Sequence, residues 1–81
     1  MKKITMYTTA TCMYCKMAKE FFREHNLSFD EKDVGQDAAA REEMLNVSGQ
    51  MGVPVIVVEG EQEPIVGFDK RRLVEALGVG G

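Results

Sequence analysis

Apolar side chains along this chain change their spacing several times, and each change marks an element. Lys3-Ile4-Thr5-Met6-Tyr7-Thr8 is rich in β-branched and aromatic residues and predicts a strand over about Lys3–Thr8. After Thr9-Ala10-Thr11, the residues Tyr14, Met17, Ala18, Phe21 and Phe22 recur at helical spacing. They predict a helix over about Cys12–His25, with Thr11 as N-cap and Asn26 as its stop. Leu27–Asp33 predicts a second strand. Asp37 caps a helix over about Ala38–Val47, with Met44, Leu45 and Val47 as its buried side chains and Ser48-Gly49 as its end. Gln50–Pro54 is turn-rich. Val55-Ile56-Val57-Val58 is an unbroken apolar run, as in a strand buried on both faces. A turn at Glu59-Gly60-Glu61 leads to a short strand, Glu63–Val66, where Pro64 suits an edge position. Gly67-Phe68-Asp69 precedes a helix over about Lys70–Leu77, capped by Asp69, with Leu73, Val74 and Leu77 as its buried stripe. Gly78–Gly81 reads as a frayed tail.

The order β-α-β-α-β-β-α puts a parallel strand pair around the first helix. It predicts an α/β sandwich, a four-stranded mixed sheet with three helices. The 81 residues suffice for one domain, 1–81, and 44% are hydrophobic, which excludes a disordered chain. A net charge of -3 gives nucleic acid binding no electrostatic support. Lys2 and Lys3 are followed by Thr5, Thr8, Thr9 and Thr11 rather than by an apolar run, so no signal peptide and no membrane span is expected. The expected compartment is a reducing cytoplasm, and a monomer is expected.

Charge and composition leave one chemical feature to explain, Cys12-Met13-Tyr14-Cys15, which holds both cysteines of the chain. Two cysteines are too few for a secreted disulfide scaffold. Four zinc ligands are not offered by one pair and the lone His25, so no metal site is expected. The pair falls where a strand ends and a helix begins. Free N–H groups and the positive end of the helix dipole suit a nucleophilic sulfur there. Cys12 is read as the exposed nucleophile and Cys15 as the resolving thiol one turn inside. Tyr14 either packs or stacks on a substrate. Lys19 reads as a solvated helix charge, His25 as a favourable group at the helix end, and the six methionines as gap-fillers.

Three motifs in order resemble the glutaredoxin branch of the thioredoxin fold. They are Tyr7-Thr8-x-x-Thr11-Cys12-x-Tyr14-Cys15, Gly52-Val53-Pro54-Val55 and Val66-Gly67-Phe68-Asp69, and they span essentially the whole chain. The resemblance implies dithiol–disulfide exchange at Cys12 and Cys15. It also implies a substrate groove formed by Tyr14, Val53, Pro54, Gly67, Phe68 and Asp69, with a cis Val53–Pro54 bond that leaves the Val53 backbone free to pair with an extended substrate. The departures lie around the groove. Met13 stands where the family often has Pro. Thr9 and Met51 stand where it has basic residues, and Val66 where it has a first Gly. Lys70 stands where it has an acidic residue. These positions hold glutathione in the family, so glutathione is expected as a poor co-substrate.

The resemblance implies no tightly bound cofactor, and it implies protein or mixed disulfides as substrates. Three arrangements compete. Electrons reach the dithiol from glutathione, or they come from a thioredoxin reductase and pass to an acceptor such as ribonucleotide reductase. In the third, two chains share a [2Fe–2S] cluster through Cys12 and external thiols.

Overall fold

The structure is a computed structural model that describes residues 2–80. Its elements follow the predicted order: β1 (Ile4–Thr8), α1 (Met13–Glu24), β2 (Asp30–Asp33), α2 (Ala38–Ser48), β3 (Val55–Val58), β4 (Ile65–Val66) and α3 (Lys70–Leu77). The strands form one sheet in the order β2-β1-β3-β4. β1 is parallel to β2 and antiparallel to β3, and β3 is antiparallel to β4. This is the four-stranded mixed sheet with three helices of the thioredoxin-like fold.

Strand alternation divides the core into two layers. Ile4 and Met6 of β1 with Ile56 and Val58 of β3 pack against Ala18, Phe21 and Phe22 of α1 and Leu73 and Ala76 of α3. Tyr7 and Val55 face the other way, onto Ala40 and Met44 of α2 and Val34. The run Val55–Val58 is therefore apolar because its residues feed both layers in turn.

Helix ends are closed by their own residues. Asn26 takes a φ of 55°, and the Asn26 and Leu27 amides donate to the carbonyls of Arg23 and Phe22, which closes α1 in a Schellman arrangement. Leu27 then packs on the first core layer. Asp37 accepts from the Ala39 and Ala40 amides, and Asp69 from the Arg72 amide, so both predicted caps are present.

Several expectations are corrected. The N-cap of α1 is Cys12, not Thr11, because the Cys12 backbone is extended and its sulfur takes an N–H of the first turn. Leu45 and Val47 are exposed, at 44% and 43%, because only Ala40 and Met44, four residues apart, line up on the sheet side of α2. Ala76 joins Leu73 as a buried residue of α3, whereas Val74 and Leu77 are half-buried at its margin. β2 begins at Asp30, with Leu27 and Phe29 turned into the core ahead of it. β4 is only Ile65–Val66, since Pro64 has no N–H to extend the ladder. The methionines divide: Met6 and Met44 fill the core, while Met13, Met17 and Met51 are exposed. In the predicted tail, Gly78 closes α3 and Val79 packs on the core, and Gly81 lies outside the described residues.

Candidate active site

The sheet register brings the three motifs to one end of the molecule. Tyr7 pairs with Val55, so the antiparallel ladder continues from Thr8 toward Pro54, at the end of β1 where the dithiol loop departs. Val55 pairs with Val66, and beyond that pair the Gly67 amide donates to the Pro54 carbonyl at 2.8 Å. The Val53–Pro54 bond is cis, as the resemblance implies. Pro54 is buried, and Val53 is half-buried against the α2 layer. Gly67 has a φ of 84°, a conformation that a side chain at this position would strain.

Cys12 stands half-exposed at the start of α1. Its sulfur accepts the Cys15 amide at 3.1 Å, and its own amide donates to the Thr9 carbonyl. An N-cap normally uses an oxygen for this purpose. Here the sulfur takes one of the helix's free donors, which places it against the positive end of the dipole. Cys15, one turn inside, is 1% exposed. Burial pushes its thiol above the ordinary range, the bond to Cys12 and the nearness of that sulfur add to this, and the Thr9 backbone and Lys19 oppose it. Both cysteines are free thiols. The pair is thus divided into an accessible sulfur and a buried one that is held protonated.

Tyr14 is 61% exposed, so it does not pack into the core and its ring is free beside the dithiol. Phe68 is half-buried, meets Phe21 edge-to-face at 6.2 Å, and helps line a shallow groove of about 180 Å³ with Met17, Glu20, Phe21, Glu24 and Lys70. Asp69 is exposed, and its carboxylate is engaged as the α3 cap. His25 sits at the end of α1 against the Phe21 ring, 4.5 Å between centroids. Among the described residues no group of three or more His, Cys, Asp and Glu is placed to hold a metal ion, and no helix is long and apolar enough to cross a membrane.

The family model for glutaredoxin matches residues 4–62. The chain belongs to the glutaredoxin family. Glutaredoxins are thiol–disulfide oxidoreductases, and the relatives span nearly the same length as this chain. A glutaredoxin-like 8.6 kDa protein in the rubredoxin operon of Clostridium pasteurianum is 43% identical over 70 residues, covering 86% of this chain and 91% of that one. Glutaredoxin 3 of Escherichia coli K12 is 36% identical over 78 residues, covering 96% and 92%. Among solved structures, a mutant of the thioredoxin-like protein BC3987 superposes with a TM-score of 0.88 at 34% identity, covering 99% of this chain and all of that one.

Two polar clusters of this chain escape a reading by motif. The Tyr7 hydroxyl donates to Glu43, which also pairs with Lys32, and so ties α2 to the sheet. Burial and the Glu43 bond push the Tyr7 phenol up to about 12. Thr8, Lys19 and Glu31 form the second cluster, behind the dithiol. Lys19 is therefore not the solvated charge that its place in the helix suggested. The only signal in the sequence was the acidic Glu31 inside a predicted strand.

Proposed function

We propose that this chain reduces protein disulfides and small mixed disulfides through Cys12 and Cys15, in the cytoplasm and as a single copy. The observation that carries the reading is the accessible Cys12 sulfur held by the Cys15 amide, with the Cys15 thiol buried one turn behind it. Cys12 as thiolate attacks a substrate disulfide and forms a mixed disulfide. Cys15 then loses its proton and attacks Cys12, which closes the Cys12–Cys15 disulfide and releases the reduced substrate thiol. Two electrons pass from the dithiol to the substrate, and an external reductant returns them. The two sulfurs carry the electrons, so no resident cofactor is needed.

The surroundings favour a protein reductant, a thioredoxin reductase, over glutathione. Met13, Tyr14, Met17, Met51 and Val66 are exposed, which gives this end of the molecule an apolar surface suited to a protein. Glutathione has two carboxylates, and Thr9 and Met51 offer neither of the cations that would pair with them. Val53 and Pro54 stand at the same end of the sheet, joined to Gly67 through the Pro54 carbonyl and followed by Phe68 and Asp69, and this edge would receive the substrate.

The test is to offer the oxidised protein glutathione and a thioredoxin reductase separately and compare initial rates of dithiol formation. Faster reduction by the reductase is expected. Equal or faster reduction by glutathione would overturn the assignment of the reductant, and reduction by neither would overturn the redox reading itself.

A further inference from the structure

Thr8, Lys19 and Glu31 make a polar cluster that the core does not need and the exchange steps do not name. Thr8 is buried, and its hydroxyl donates to Glu31 Oε2 at 2.8 Å. The Lys19 ammonium pairs with the same oxygen. Glu31 is in register with Met6, and Met6 belongs to the core layer under α1, so Glu31 lies on the α1 side of the sheet. Lys19 follows Cys15 by four residues and stands one turn further along the same face of the helix.

A lysine on a helix surface ordinarily carries its charge into water. The Lys19 side chain is only 23% exposed. Arg23, four residues further on, bears on Glu31 as well. Two cations at this spacing repel each other, and Glu31, which pairs with Lys19 and feels the Arg23 charge, offsets that repulsion. The carboxylate is itself fixed from below by Thr8. Burial acts to raise the Glu31 carboxyl, but the bonds from Lys19 and Thr8 prevail and hold it below the usual carboxylate range.

We propose that Glu31 is a positioning residue that pins the Lys19 ammonium behind Cys15 and thereby speeds the attack of Cys15 on a mixed disulfide at Cys12. This rests on the dithiol reading. In that attack the Cys15 thiol gives its proton to solvent and its sulfur bonds to Cys12 Sγ. The bond from Cys12 to the substrate sulfur breaks, and the substrate leaves as a thiolate with the electron pair. The attacking sulfur must become an anion in a buried place, where a fixed cation has its largest effect. The groups that bear on Cys15 are Cys12 and Lys19 on its own helix and the Thr9 backbone. From β2, Glu31 acts only through Lys19, while the Asp33 carboxylate is occupied by the Gly35 and Gln36 amides. The first attack, by Cys12, does not use Cys15 as nucleophile and does not need the pinned cation.

Stopped-flow reaction of the reduced protein with an excess of an aromatic disulfide that releases a coloured thiolate separates the two steps. The phase whose rate scales with reagent is attack by Cys12. The phase independent of reagent is attack by Cys15. Lys19→Met is expected to slow the second phase at neutral pH by about three- to tenfold, the span of up to one pKa unit of thiolate population. The first phase should change by less than about twofold, because no term of that step is removed. Glu31→Gln should do the same, since an amide keeps a hydrogen-bond acceptor for Thr8 but no counter-charge for Lys19. The double variant should be no slower than either single variant, and Lys19→Arg should restore the rate. In pH profiles the slowed variants should reach the wild-type rate only at higher pH. An unchanged or faster second phase in Glu31→Gln, or equal slowing of both phases, would overturn the proposal. A wild-type protein with no reagent-independent phase would instead overturn the dithiol reading.

Discussion

The Cys15 amide donates to the Cys12 sulfur across 3.1 Å, although only one of these two residues can be reached from solvent. Cys12 is held from the Cys15 backbone, and the Cys15 sulfur is itself buried. One of the two is presented at the helix end and the other is buried one turn inside.

That division predicts the outcome of replacing each cysteine. Cys12→Ser should abolish exchange and leave a buried thiol that alkylates slowly. Cys15→Ser should keep a reactive Cys12 and accumulate mixed disulfides, visible as substrate adducts by intact mass. Fast alkylation of Cys12→Ser together with an inert Cys15→Ser would reverse the two roles.

Tyr7 predicts a change in alkaline behaviour. Its folded phenol titrates at about 12, above the ordinary value of about 10. The neutral form is favoured in the fold, so its contribution to stability is fully present below about pH 10 and is lost as the pH rises through about 12. Phenolate absorbance should show a component that ionises well above pH 10, and Tyr7→Phe should remove that late component. An alkaline titration that Tyr7→Phe leaves without any loss of a late component would exclude the Glu43 bond in solution.

The two core layers predict unequal costs for leucines. Leu73 is completely buried between the sheet and α3, and Leu73→Ala should cost about 2–5 kcal/mol. Leu45 projects from α2 into solvent, and Leu45→Ala should change stability by no more than about 0.5 kcal/mol. Urea unfolding at neutral pH measures both. A cost for Leu45→Ala near that of Leu73→Ala would show that α2 packs by a different face.

Thr9 predicts the reach of a single added charge. Glutathione-coupled reduction of a small mixed disulfide should be slow in the wild type. Thr9→Lys should raise it by less than about tenfold, because one partly exposed pair contributes about 0–1 kcal/mol. Wild-type rates typical of a glutathione-dependent enzyme, with no gain from the lysine, would show that the groove holds glutathione by other contacts.

The element order, both acidic helix caps, the strand buried on two faces and the dithiol at the strand–helix junction were legible along the chain. Each depends on neighbours a few residues apart: apolar spacing for the elements, Asp37 and Asp69 ahead of helical stretches for the caps, Cys12 and Cys15 three apart for the dithiol. The tertiary structure decided the matters that depend on distant parts of the chain. Leu45 and Met44 are adjacent and equally apolar, and only the position of the sheet determines which one is buried. Cys12 displaced Thr11 as the cap because the chain arrives from β1 with Cys12 extended and its sulfur over the Cys15 amide. Lys19 looked like an ordinary surface charge until β2 brought Glu31 beside it, twelve residues later in the chain and beyond any helical spacing. Local periodicity encodes which residues can face inward. The electrostatics behind the dithiol arise where separate elements meet, and a charge pair of that kind leaves no period in the sequence.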